Sequence, residues 1–94
     1  MDGESNAVGV GLVMTFDDVG REEYDASLAP VDWPDGLVAH YAGATPAGWC
    51  VVDIWRTQHE FDEFLLNRLG PNMARAGIGA PTVTPFSLAD AHVA

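Results

Sequence analysis

Two largely apolar segments, 36–44 and 49–56, are separated by only four residues, and this spacing most limits the possible folds. The four residues, Thr45-Pro46-Ala47-Gly48, have the composition of a turn. Strands joined by so short a connection must run antiparallel, because a parallel crossover needs a much longer segment. The spacing therefore predicts a β-hairpin whose pairing register is set by the turn.

One more strand is predicted before this hairpin in the sequence, and another is predicted after it. Residues 7–16 are apolar on both faces and predict a buried strand whose even-numbered residues share one side. Gly9 and Gly11 leave the other side thin, so we expect a bulky group to approach the backbone there. Residues 82–88 predict the fourth strand, and Pro85 indicates an edge position or a bulge.

Two helices are predicted between these strands. Asp18 is the expected N-cap of a first helix that ends near Leu28. Thr57 and Glu60 form a capping box at the start of the second helix. The apolar stripe of the second helix consists of Phe61, Phe64, Leu65 and Leu69. Gly70-Pro71 is expected to break or kink this helix, which then continues briefly over residues 72–76.

The predicted order of elements is β-α-β-β-α-β, which is the ferredoxin-like or split βαβ arrangement of the α+β class. It predicts one domain over residues 7–94, after a flexible N-terminus at residues 1–6. Both helices should lie on one face of a four-stranded antiparallel sheet, which leaves an apolar face bare. We therefore expect a homodimer in which two such faces pack together as a dimeric α+β barrel.

Size and composition agree with a small domain that gains stability from a partner. The chain has 94 residues, of which 48% are hydrophobic, and it contains three Trp, two Tyr and four Phe. The formal net charge of −10 argues against nucleic acids and anionic membrane surfaces as partners. The single cysteine, Cys50, permits no internal disulfide, and there is neither a signal peptide nor a membrane-spanning run, so a cytoplasmic location is expected.

The candidate chemistry lies in the hairpin. Counting back from the turn pairs Ala44 with Trp49, His40 with Asp53, and Val38 with Trp55. A carboxylate beside an imidazole fixes its tautomer and leaves the other nitrogen free to move a proton. This pair could deprotonate a phenol or an activated carbon acid, or it could be a polar pair that only satisfies itself. A register slip of one residue would separate the two side chains.

Other residues are predicted to surround this pair. Trp49 and Trp55 would form aromatic walls beside it. The remaining candidates for substrate binding are Tyr41, Trp33, Tyr24 and Arg56. The sequence has no paired-cysteine or HExxH motif and no phosphate-binding glycine loop before a helix, so no metal and no cofactor are predicted.

These segments resemble the dimeric α+β barrel superfamily, in particular its branch of proteins similar to antibiotic-biosynthesis monooxygenases. The similarity is carried by residues 36–43 (GLVAHYAG), 48–57 (GWCVVDIWRT), 61–64 (FDEF) and 68–71 (RLGP). The resemblance covers roughly residues 8–88 and implies a ferredoxin-like dimer. Members include cofactor-independent monooxygenases of aromatic polyketides, polyketide cyclases, haem-degrading enzymes, stress-response proteins and small uncharacterised proteins.

Together these features predict a homodimer with a pocket for an apolar, aromatic or polyketide-like ligand in each protomer. If it is an enzyme, it would be a cofactor-free monooxygenase, cyclase or isomerase with His40 as base and Asp53 orienting it. The alternative is a non-catalytic ligand-binding, stress-response or structural dimer, and haem handling is a third option. A solvent-connected cavity of about a few hundred Å³ at His40 would favour ligand chemistry, and a closed interior would favour the non-catalytic module.

Overall fold

The computed structural model describes residues 9–28 and 32–92. Its strands are β1 (Val10–Asp17), β2 (Leu37–Thr45), β3 (Gly48–Trp55) and β4 (Thr82–Ser87). Its helical segments are α1 (Arg21–Leu28), α2 (Gln58–Phe64), a π-helical turn (Leu65–Leu69) and α3 (Gly70–Arg75). The predicted flexible N-terminus, the first two residues of the first predicted strand and part of the loop after α1 lie outside the described residues.

The four strands form one antiparallel sheet in the order β2-β3-β1-β4. β1 and β3 therefore occupy its centre, while β2 and β4 are its edges. This confirms the predicted α+β class, the antiparallel sheet and the hairpin of β2 and β3. Pro85 lies in β4, and an edge strand tolerates the missing N–H of proline because one of its sides has no partner strand.

The hairpin register is confirmed near the turn and wrong at its far end. Ala44 pairs with Trp49 and His40 with Asp53, as the turn requires. A β-bulge at Val38 then shifts the pairing by one residue, so that Leu37, and not Val38, lies opposite Trp55. The bulge turns Leu37 toward the core, although the regular alternation had placed it on the opposite face.

One face of the sheet carries the core. Alternating residues of β1 and β3 are buried there, and apart from Asp53 they are apolar: Leu12, Met14, Phe16, Trp49, Val51 and Trp55. The second helix covers these residues with Phe61, Phe64, Leu69 and Met73. The opposite face has no helix packed on it in the described part of the chain, and Val13, Val52 and Ile54 are only half-buried.

The first helix begins later than predicted. Asp18 does not cap it, because it adopts the left-handed conformation at φ 57° and its N–H donates to the carbonyl of Ala47 at 2.9 Å. The N-cap position belongs to Gly20, whose carbonyl accepts from Tyr24 at 3.0 Å. The N–H of Gly20 donates to Oε1 of Glu23 at 3.0 Å, which is the carboxylate half of a capping box.

The second helix begins as predicted but is not broken at Gly70-Pro71. The backbone N–H of Glu60 donates to Oγ1 of Thr57 at 3.1 Å, which confirms the N-cap. Before the proline, the chain widens into a π-helical turn in which the N–H of Gly70 donates to the carbonyl of Leu65. This turn absorbs the missing donor of Pro71, so α3 continues directly. No helix in the described ranges is long and apolar enough to cross a membrane.

The bulky group that approaches Gly11 of β1 is Phe86. It pairs with Gly11 across β1 and β4, on the face that carries no helix. A Cβ built on Gly11 would lie 2.1 Å from the Phe86 ring, so only glycine leaves room for this packing.

Candidate functional site

The hairpin brings His40 and Asp53 together on the helix side of the sheet. Nδ1 of His40 lies 2.6 Å from Oδ1 of Asp53. The other carboxylate oxygen, Oδ2, accepts from Nε1 of Trp55 at 3.2 Å. Asp53 is only 2% exposed, so these two bonds replace the water that its carboxylate loses on burial.

Tyr24 on α1 completes a chain of hydrogen bonds. Its hydroxyl lies 2.5 Å from Nε2 of His40. An ionised carboxylate can only accept hydrogen bonds, so Nδ1 of His40 carries a proton toward Asp53. Nε2 of the neutral imidazole is then an acceptor, and the phenol donates to it. The sequence predicted that Nε2 would be free, but Tyr24 occupies it.

The environment of Tyr24 keeps its phenol protonated. Burial, followed by the nearby charges of Asp53 and Asp25, raises the pKa of Tyr24 to about 12. At neutral pH the phenol is therefore a hydrogen-bond donor to His40 and a poor source of phenolate.

A small cavity lies beside this network, between the sheet and the helices. Its volume is about 20 Å³, which is room for about one water molecule. Its polar wall is formed by Tyr24, His40 and Asp53. The remaining wall consists of Met14, Phe16, Ser27, Leu28, Trp33, Val51, Phe64 and Leu69. The cavity is therefore apolar except at one corner, where the phenol and the imidazole meet.

Trp33 is the most exposed part of this wall. Its ring centroid lies 4.8 Å from that of His40, at an interplanar angle of 45°. The side chain is 46% exposed, so it covers the imidazole from the solvent side and is not part of the core.

The other aromatic candidates lie at different distances from the cavity. Trp49 contacts Tyr24, with ring centroids 5.0 Å apart, and Trp55 supports Asp53 through its indole N–H. Nε1 of Trp49 is buried without a hydrogen-bond partner in the described part of the chain. Tyr41 is 61% exposed and pairs with Val52 on the opposite face, so the structure does not bring it to the site.

Arg56 lies in a different place from the His40 cavity. It borders an open groove of about 610 Å³ beside α2, and its guanidinium lies 2.5 Å from Oε2 of Glu60. The hydrogen bond from Arg56 holds the pKa of Glu60 below its usual value. Arg68 borders the same groove and donates to the carbonyl of Asp32 at 3.2 Å. Arg56 is thus engaged with an acidic neighbour and does not contact His40.

The apolar cavity wall was not singled out from the sequence as part of a site. Members such as Met14 and Phe64 follow ordinary strand and helix alternation, which by itself indicates only a core. One signal in the sequence did point toward the cavity: Tyr24 and Leu28 are four residues apart on α1, which places both on the helix face that lines it.

Within the described residues there is no group of three or more His, Cys, Asp or Glu side chains arranged to hold a metal ion. Comparison with protein-family models, curated proteins and solved structures gives no significant match to the chain.

Proposed function

We propose that the chain binds a small apolar molecule of aromatic or polyketide-like character beside His40, and that it moves a proton to or from this ligand without a cofactor. The hydrogen-bonded series Tyr24–His40–Asp53 carries this proposal, because it ends in an otherwise apolar cavity. Isomerisation, cyclisation and oxygenation by molecular oxygen can each begin by removing a proton from a phenol or an activated carbon acid.

The cavity must widen before an aromatic ligand can occupy it, since about 20 Å³ holds about one water molecule. Trp33 is the side chain whose displacement gives the most room at the least cost, because it is half-exposed. A planar ligand would then take the place of the indole over the imidazole of His40.

The small cavity favours a second candidate function, which is a non-catalytic module. In this case Tyr24, His40, Asp53 and Trp55 satisfy one another, and their role is to hold α1 against the sheet. The two functions differ in one measurable respect: only the first gives a ligand-binding site that depends on His40.

We also propose that the protein is a homodimer that packs the bare face of one sheet against that of its twin. The outward-facing residues of the sheet include Val13, Tyr41, Cys50, Val52 and Ile54, and none of the five is charged. Among the strand residues of this face, the one charged side chain is Asp17 at the end of β1, so in a chain with a net charge of −10 two copies can meet here with little repulsion.

The area of the face agrees with such an interface. Four strands spaced about 4.8 Å apart and about eight residues long give a flat area of about 500 Å² per protomer. The total of about 1,000 Å² is at the lower limit of specific interfaces. The βαββαβ order with β1 and β3 in the centre supports a ferredoxin-like topology, and with the bare face it supports the resemblance to dimeric α+β barrels.

Ligand binding is tested by titrating the protein with 1-naphthol and with a tricyclic anthrone while recording tryptophan fluorescence and histidine NMR signals. Saturable binding that is lost in His40→Ala, with the fold and the oligomeric state preserved, supports the first function. Binding that is equally tight in His40→Ala removes His40 from the site. Absence of binding by the wild type supports the non-catalytic module.

The dimer is tested by sedimentation at micromolar concentration and by the reaction of Cys50 with a maleimide. We expect the wild type to sediment as a dimer with a protected Cys50, and Val52→Asp to sediment as a monomer with a reactive Cys50. Leu66→Asp is the control, because Leu66 is 75% exposed on the helical layer, away from the bare face. A monomeric wild type refutes the dimer.

A further inference from the structure

The hydroxyl of Tyr24 belongs to a side chain that lines the cavity, and it has unused hydrogen-bonding capacity. Among the described residues, its only hydrogen-bond partner is Nε2 of His40, to which it donates. A phenolic oxygen can also accept hydrogen bonds, and this capacity remains for a ligand. Tyr24 lines the cavity together with His40, so a ligand there meets both side chains.

The imidazole of His40 has no free nitrogen with which to meet a ligand. Nδ1 is engaged by Asp53 and Nε2 by Tyr24. A ligand proton can therefore reach His40 only through Tyr24 or after Tyr24 has moved away.

We infer that Tyr24 is the residue that exchanges a proton with the ligand, and that His40 acts behind it. This inference rests on the proposed function. The ligand would donate a hydrogen bond from an acidic hydroxyl, or from an activated C–H, to the phenolic oxygen of Tyr24. Tyr24 thus has a direct chemical role, whereas the sequence predicted it only as a substrate-binding residue.

The proton transfer balances within the network. The ligand proton forms a new O–H bond on Tyr24 while the original phenolic proton passes to Nε2 of His40. The ligand becomes an anion, Tyr24 remains a neutral phenol, and His40 becomes an imidazolium ion paired with Asp53. The reverse sequence returns a proton to the ligand.

The electrostatics of the site indicate which ligands it accepts. Burial, followed by the charges of Asp53 and Asp25, disfavours a negative charge on Tyr24 and raises its pKa to about 12. A ligand that is already an anion would meet the same repulsion, and the remaining cavity wall is largely apolar. The site therefore favours neutral, weakly acidic phenols, enols or carbon acids over carboxylates and phosphates.

The experiment uses 4-nitrophenol as the probe, because its ionisation changes its visible absorbance. Affinity and the ionisation of the bound probe are measured over a pH series in the wild type, in Tyr24→Phe and in Tyr41→Phe. Tyr41 is the matched control, since it is the other tyrosine of the chain and lies on the opposite sheet face. The series is repeated in the Trp33→Ala background, where the cavity wall is open.

We expect Tyr24→Phe to bind the probe about tenfold more weakly, the effect of losing one hydrogen bond. The probe that remains bound should ionise at a higher pH, and Tyr41→Phe should match the wild type. If Tyr24 only blocks Nε2, Tyr24→Phe will bind more tightly and ionise the probe at a lower pH. That result, or unchanged binding, overturns the inference and leaves the proposed function standing.

If neither the wild type nor Trp33→Ala binds the probe, the proposed function fails together with the inference. Should Tyr24→Phe not fold, NMR of the wild type decides the matter. We then expect nuclear Overhauser contacts between the probe and the Tyr24 ring, together with conversion of His40 to imidazolium. Contacts that reach His40 and not Tyr24 overturn the inference.

Discussion

Removing the carboxylate of Asp53 should destabilise the protein strongly, because two donors depend on it. Asp53→Ala leaves Nε1 of Trp55 buried without an acceptor and takes the partner from Nδ1 of His40. Hydrogen bonds to a charged group contribute about 1.5–3 kcal/mol each. Part of this loss is offset because the carboxylate no longer has to be desolvated. We expect the free energy of unfolding to fall by about 3 kcal/mol.

Asp53→Asn should cost much less, about 1 kcal/mol, because the network can reverse its direction. The asparagine oxygen would accept from Trp55, and its NH₂ group would donate to Nδ1 of His40. Nε2 of His40 would then carry the proton and donate to the oxygen of Tyr24. Trp55 and His40 keep their partners, whereas the O–H of Tyr24 loses its acceptor and the charge is gone.

The assay is urea unfolding followed by tryptophan fluorescence, with the His40 tautomer read from ¹⁵N NMR. For a domain of this size, the loss in Asp53→Ala corresponds to a fall in Tm of about 15 °C. Asp62→Ala removes the same charge from an exposed site that accepts from Gln58 at 2.9 Å, and it should change stability by less than about 0.5 kcal/mol. Equal losses in Asp53→Ala and Asp53→Asn, or an unchanged tautomer in Asp53→Asn, would show that the network does not reverse.

Three further predictions follow from single contacts. In Tyr41→Phe, the one remaining phenol is that of Tyr24, and it should titrate in the ultraviolet at a pKa of about 12. This raised pKa contributes about 1 kcal/mol of stability (discounted for partial exposure), which should be complete below pH 10 and disappear between about pH 10 and 12. A phenol that titrates near pH 10 contradicts this. Gly70→Ala should lower the free energy of unfolding in urea by about 1–2 kcal/mol despite the better helix propensity of alanine, since the added Cβ would lie 2.8 Å from the carbonyl oxygen of Leu65. A more stable variant would show that the π-helical turn relaxes. Trp33→Ala should lower the free energy of unfolding by less than about 1.5 kcal/mol, because the side chain is 46% exposed. This variant should bind indole in saturation-transfer NMR, whereas the wild type should not. Equal binding by both proteins excludes Trp33 as the wall of the cavity.

Local sequence signals predicted the elements well because each has a local physical cause. The capping box at Thr57 and the alternation along β1 depend on neighbours within four residues. The turn at Thr45 fixed the register as far as His40 and Asp53. The predicted register is wrong beyond the bulge at Val38, because no residue near Val38 is typical of a bulge. The bulge instead accompanies the packing of Leu37 into the core.

The candidate site was predicted only in part, for a similar reason. Strand pairing gave the contact between His40 and Asp53, whereas the contact with Tyr24 joins a helix to the sheet over a sequence separation of 16 residues. No periodicity encodes such a contact. Tyr41 and Arg56 were included for their chemistry, and the structure places them on the bare sheet face and in the groove beside α2.

Turns, caps and alternation act over a few residues, so the order of the strands and helices, the hairpin and the shared face of His40 and Asp53 follow from local sequence alone. The occupation of the second nitrogen of His40 by Tyr24, and the nearly closed cavity beside them, became known from the folded arrangement. Those outcomes depend on how α1 docks against the sheet, and docking is settled by the packing of side chains that are distant in the sequence.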